Sequence, residues 1–338
     1  MSEQQIHRAA ANESPDPPPR AVLGAIAEAS GRVNRYPEVY PTALVEAIAA
    51  HHDVPVDHVA VGAGGAGLIQ QMLHLVNRGR GWGRREVLFA WRSFEGYPLI
   101  AEGMGVPVRR IPLRGADHDL PAMASAVRRR TKMIFLCSPN NPTGTAIRQD
   151  DLDRFLDRVP RRVFVVLDEV YRDFATDPET ADGLRTYPRH PNLVVLRSFS
   201  KAYGLAGLRV GYAIGQPGPI AGLRAVTMPF VVPETAQAAA IAALASAPEY
   251  ATRRAAVTAE RGRVVDGLRA VGIPVPPSEG NFVWLPLGTR TGDFEAACRA
   301  EGLQVHAFSG EGVRVTVGLP ESNDILLKVA ASRAWSGV

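Results

Sequence analysis

Lys201 is the residue with the richest chemical context in this sequence. It closes Ser198-Phe199-Ser200-Lys201 just after the apolar run Leu193–Leu196, and Gly204, Gly207 and Arg209 follow it. Two hydroxyls and a guanidinium around one loop suit a phosphate, because arginine offers planar, charge-assisted donors. A lysine partly desolvated beside a cation has a depressed pKa and can serve as a nucleophilic amine. The bland alternative is a surface charge. Asp168 ends a second apolar run, Val163–Leu167, within Leu167-Asp168-Glu169-Val170-Tyr171. A carboxylate closing a buried strand must be paired or functional. A protonated ring nitrogen of a ligand would pair it; capping the next helix is the alternative. Glu169 reads as structural, and Tyr171 stands close enough in sequence to act on the same ligand.

Two further segments belong with these. Ser138-Pro139-Asn140-Asn141-Pro142-Thr143-Gly144 follows the run Met133–Cys137 and reads as a turn that offers the Asn141 amide as a donor. Ala63-Gly64-Gly65-Ala66-Gly67 opens a helical run, Leu68–Val76, and such glycine-rich turns expose backbone N–H groups to an anion. As a dinucleotide fingerprint it fails, because no early strand–turn–helix unit with an acid roughly 20 positions on is expected there.

The elements that must position these groups read as α/β. Strands are expected at Val87–Ala90, Val106–Ile111, Met133–Cys137, Val163–Leu167, Leu193–Leu196 and Leu208–Ile214. Most are continuous apolar runs, as for strands covered on both faces of a mostly parallel sheet flanked by helices. Asp150–Val159 has the length of a crossover helix between two of them. The four segments then fall at strand ends, where open α/β sheets bind ligands. After Pro233 an alanine-rich helical stretch, Glu234 to Leu268, breaks near Ala247-Pro248, and strand signals return at Phe282–Leu285, Leu303–His306 and Val313–Val317. The expected division is an N-terminal arm and part of a smaller domain over residues 1–34, a large domain over 35–245, and a smaller α+β domain over 246–338. The proline run Pro17-Pro18-Pro19 marks residues 1 to 20 as an extended arm.

Composition narrows the class. Two cysteines, Cys137 and Cys298, cannot form a disulfide framework and sit in no metal-ligand spacing, which points to the cytoplasm and to no metal. The formal charge of +4 comes from scattered basic residues. The run Arg128-Arg129-Arg130 fits a solvated helix end better than a nucleic-acid patch. No apolar run reaches the roughly 18 residues that a membrane helix needs, and the first residues do not look like a secretory signal.

Taken together, CSPNNPTG at 137–144, LDEVY at 167–171, SFSKAYGLAGLRVGY at 198–212 and GVRVTVG at 312–318 make the chain resemble the fold-type-I pyridoxal-phosphate aminotransferases of class I/II. It looks most like the histidinol-phosphate and aromatic-amino-acid branch, over residues from about 13 to the end. The resemblance implies pyridoxal 5′-phosphate as cofactor, with Lys201 holding it covalently and shuttling the proton of the substrate α-carbon. It implies Asp168 on the pyridine nitrogen, Asn141 and Tyr171 on the phenolic oxygen, and Ser198, Ser200 and Arg209 on the phosphate with help from backbone at Gly64 and Gly65. Phe94 matches the aromatic that stacks on the ring, and Arg314 the arginine that grips the substrate α-carboxylate. Tyr36 matches a tyrosine that reaches the cofactor of a neighbouring subunit, which implies a homodimer with shared sites. Read from the residues alone, Arg314 could be a solvent-facing charge, Phe94 plain core, and Tyr36 the close of a turn before Pro37.

The implied reaction is ping-pong transfer of an amino group from an L-amino acid to a 2-oxo acid such as 2-oxoglutarate. The stretches Trp91–Tyr97 and 281–285 look like the aromatic branch. Histidinol phosphate and a specialised secondary-metabolism donor are the alternatives, and a threonine-phosphate-type decarboxylase is a remoter one. Ser14, where the family usually has Asn, and the bare Gly65 depart from the pattern and bear on substrate identity.

Overall fold

The computed structural model describes residues 6–77, 85–332 and 335. The outermost residues of the expected arm (1–5) and of the C-terminal domain (333, 334 and 336–338) lie outside that range. The strands are β1 (His7–Arg8), β2 (Val59–Gly62), β3 (Glu86–Trp91), β4 (Val108–Pro112), β5 (Thr131–Cys137), β6 (Phe164–Asp168), β7 (Leu193–Ser198), β8 (Gly211–Gly215), β9 (Phe282–Leu285), β10 (Leu303–Gln304), β11 (His306–Phe308) and β12 (Gly312–Thr316). Seven of them form one sheet in the order β2-β8-β7-β6-β5-β3-β4. Only β8 runs against the rest, pairing antiparallel with both β2 and β7.

The central strands are apolar on both sides because both sides are covered. Along β6, Val165 and Leu167 face one buried cluster while Val166 faces the other, the alternation a pleated strand imposes. A third cluster joins Val264, Phe294 and Leu326 with the sheet β11-β12-β9, and it includes Ala9. The helix Arg20–Ser30 instead contributes Val22 to the largest cluster. The arm is not wholly irregular: β1 pairs in parallel with β10.

Several expected elements shift. β2 was not anticipated; it is four residues long and ends two residues before the helix Gly64–Asn77, so a strand–turn–helix unit does exist there. Glu86, roughly twenty positions on, is engaged with Arg109, Arg130 and Thr131. The strand expected from Leu208 starts only at Gly211, because Ala206–Leu208 makes a 3₁₀ turn and Arg209 adopts a left-handed φ of 52°. Leu303–His306 divides between β10 and β11, which belong to different sheets. The alanine-rich stretch forms Glu234–Ala245 and Ala247–Ala270, broken where Pro248 predicts. The arginine run lies beyond the helix Leu120–Ser125, and Arg130 pairs with Glu86. No helix among the described residues is long and apolar enough to cross a membrane.

Glu169 shows what anchors the carboxyl end of β6. Its side chain is fully buried, accepts from Arg197 Nη2 at 2.8 Å, and accepts from the Gly183 N–H at 2.7 Å. Burial pushes its carboxyl up and Arg197 pulls it down. Removing one partner of a buried pair leaves the other charge uncompensated. Glu169→Gln is expected to lower stability by about 3 kcal/mol, measured as a shift of the urea midpoint; an unchanged midpoint would refute that structural role.

Candidate active site

The carboxyl ends of β5, β6 and β7 lie side by side, with Cys137 opposite Asp168 and Asp168 opposite Leu196. A cavity of about 250 Å³ opens over them. Asp168, Lys201, Asn141, Tyr171, Arg209 and Arg314 all line it. Phe94, Ser198, Ser200 and Gly65 line it too. Gly64 stands one step back: it takes φ 69°, and a Cβ there would collide with the Arg209 guanidinium. Tyr36 is not brought in. Its ring is 85% exposed and packs 5.0 Å from Phe230.

At one end the groups suit an anion. The helix Gly64–Asn77 presents its first N–H groups, which have no partner within the helix. Arg209 Nη1 donates to Ser200 Oγ at 3.3 Å and to the Ala206 carbonyl at 2.8 Å, and the Ser200 N–H donates to Ser198 Oγ at 3.1 Å. The glycine at 64 is what lets the guanidinium lie against the start of the helix.

At the floor, Asp168 is buried, and its carboxyl is raised to about 6, chiefly by burial, against the pull of Tyr97 and the Val170 N–H. Lys201 Nζ donates to the Ala11 carbonyl at 2.7 Å. Burial, then Arg314, lowers its pKa to about 8, with Glu13 opposing and Arg209 reinforcing. Tyr171 is pushed up to about 12 by burial, so at neutral pH its phenol keeps a proton to donate. Arg314 Nη1 donates to Asn141 Oδ1 at 2.6 Å and Nη2 to the Ala10 carbonyl, while its buried Nε has no partner. With Asn141 Oδ1 engaged, the remaining polar group of that side chain is its NH₂ donor.

An amine of lowered pKa, a buried acid, an anion cup and a guanidinium with an unmet donor thus share one cavity. A family model described as aminotransferase class I and II matches residues 8–329. The chain belongs to this family. An aromatic amino acid aminotransferase of Streptomyces avermitilis is 50% identical over 324 residues, covering 96% of this chain and 89% of that protein. Another, from Thermobifida fusca, is also 50% identical and covers 94% and 88%. Among solved structures, histidinol-phosphate aminotransferase from Sinorhizobium meliloti in complex with pyridoxal-5′-phosphate superposes with a TM-score of 0.88 at 26% identity, covering 97% and 90%.

Two residues of this aminotransferase escaped the reading of its sequence. Asn12 is fully buried at φ 53°. Its Nδ2 donates to Tyr171 Oη at 3.0 Å, its N–H donates to Thr316 Oγ1 at 2.9 Å, and its carbonyl accepts from Asn281 Nδ2 at 3.2 Å. The available signal was a lone amide closing the run Ala9-Ala10-Ala11. Tyr97, on the helix Gly96–Gly103, donates its O–H to Asp168 Oδ2 at 2.7 Å.

Proposed function

We propose that this chain uses pyridoxal 5′-phosphate to move the amino group of an aromatic L-amino acid to a 2-oxo acid such as 2-oxoglutarate, by a ping-pong route. The observation that carries the proposal is the shared cavity, in which Lys201 and Asp168 stand beside a cup built from Ser198, Ser200, Arg209 and the helix start at Gly64 and Gly65. Those residues fit the cofactor. The cup matches a phosphate, the buried acid matches a protonated ring nitrogen, and the lysine can supply the covalent link.

Pyridoxal phosphate, when bound, supplies an electron sink for negative charge at the substrate α-carbon. Asp168 keeps a proton on the ring nitrogen. Lys201 Nζ, as free amine, takes the α-proton and returns it elsewhere, which its lowered pKa favours. Asn141 and the Tyr171 phenol donate to the phenolic oxygen, with Tyr171 held by Asn12. Phe94 covers the ring, and Arg314 turns its unmet donor to the substrate carboxylate.

We also infer a homodimer in which Tyr36 reaches its neighbour's cofactor. Support comes from an exposed apolar patch: Tyr36 packs on Phe230, whose N–H donates to the Val39 carbonyl, and all three side chains are exposed. The proposed division keeps 35–245 as the large cofactor-binding domain, 246–338 as the smaller one and 1–34 as an N-terminal arm and part of the smaller domain, with the helix Arg20–Ser30 packed on the large cluster.

The aromatic assignment rests on the two relatives of 50% identity. A side-by-side assay with 2-oxoglutarate tests it. Phenylalanine or tyrosine is expected to give a kcat/KM at least about tenfold above that of histidinol phosphate. The reverse order would overturn the substrate assignment, and carbon dioxide release without keto acid would overturn the reaction.

A further inference from the structure

Tyr97 has no part in the reaction described so far, yet it touches two groups that do. The side chain is fully buried, stacked on Phe135 at 4.6 Å and 10°, with Phe89 tilted at 5.7 Å. A buried phenol needs a partner for its O–H, and here the partner is Asp168 Oδ2 at 2.7 Å. The other oxygen, Oδ1, accepts from the Val170 N–H at 3.2 Å. The Tyr97 ring also meets Phe94 edge-on at 5.4 Å and 87°. Phe94 can take that position because Gly96 has no Cβ where its ring lies.

We propose that Tyr97 is a positioning residue for the reaction: its phenol anchors one oxygen of Asp168 while its ring seats Phe94, so one side chain aligns the acid and the aromatic face. The inference rests on the proposed cofactor for its purpose, but not for its geometry. A carboxylate held by a strong donor keeps its charge in an apolar site, whereas one without it takes a proton. Orientation matters equally, since a rotated carboxylate would no longer face a ligand in the cavity. The other titratable groups about this acid are Cys137 on β5, Glu169 and Tyr171 after β6, Lys201 and Arg209 after β7, and Arg314 on β12. Among the described residues, Tyr97 is the side chain that donates a hydrogen bond to the Asp168 carboxylate, beside the backbone N–H of Val170.

The test is Tyr97→Phe in the full chain without cofactor, with the Asp168 carboxyl followed by infrared titration and its band assigned with Asp168→Asn. Loss of a hydrogen bond to a charged group is expected to raise the protonation midpoint by about one pH unit. Placing 3-fluorotyrosine at position 97, a stronger donor that keeps the ring, moves the midpoint the other way and guards against a folding defect in the first variant. In the loaded enzyme, Tyr97→Phe lowers kcat while KM for the amino donor stays unchanged, because the substrate carboxylate is bound elsewhere. A midpoint equal to wild type in both variants overturns the inference and leaves the proposed function standing. Loss of the proposed function would show instead in Lys201 variants, and the cofactor-free titration is independent of it.

Discussion

Lys201→Ala protein mixed with pyridoxal phosphate is expected to show none of the visible absorption that the wild type acquires, and to lose transamination by about 10⁴-fold or more. Among the described residues, Lys201 is the lysine that lines the cavity. With a pKa of about 8, roughly one Lys201 amine in ten is unprotonated at pH 7, far more than for an ordinary lysine near 10.5. Formation of the visible band in wild type should therefore accelerate as pH rises through about 8 and level off above it. The variant should respond to neither pH nor cofactor. Borohydride reduction followed by peptide mapping supplies the chemical check. Label on Lys201 supports the assignment; label on another residue, or a variant spectrum equal to wild type, ends it.

Asp168→Asn should damage catalysis less than loss of Lys201, yet raise the stability of the cofactor-free fold. The amide is isosteric and its oxygen can still accept from Tyr97, at the loss of the longer bond from the Val170 N–H, but it carries no charge to hold a proton on the ring nitrogen. Losing such an interaction in a water-poor site costs about 3–4 kcal/mol of barrier, or 10²–10³ in kcat, with little change in KM. Stability moves the other way. A carboxyl whose pKa rises on folding, here from 3.8 to about 6, contributes fully below the lower value and loses that contribution as pH climbs through the upper one. Asparagine cannot ionise, so the cofactor-free variant should melt higher than wild type at pH 7, with the gap closing near pH 4. Equal kcat, or a lower melting point at pH 7, would show that the acid is merely structural.

Much of the candidate site could be read from the sequence, because it is written in local strings. Lys201, Asp168 and Asn141 each close or follow an apolar strand, and strand ends of parallel sheets converge in space. The antiparallel course of β8 could not be read, since apolar runs carry no direction. The helix start was placed at Leu68 instead of Gly64 because glycines give no periodic signal. Asn12 was hidden for another reason: it bonds to Tyr171 and Thr316, 159 and 304 positions away, and no local pattern encodes such a partner. Tyr97 sits in an apolar helix where a phenol reads as core, and only the fold shows that its hydroxyl ends on an acid. Arg209 lines the cavity, and its left-handed φ of 52° carries no sequence signal in a residue other than glycine.

The course of Ala9–Asn12 has a practical corollary. Backbone carbonyls of Ala10 and Ala11 accept from Arg314 and Lys201, and Asn12 holds Tyr171, so this irregular stretch forms one wall of the cavity. Any change that displaces Ala9–Asn12 is therefore expected to move Arg314, Lys201 and Tyr171 with it.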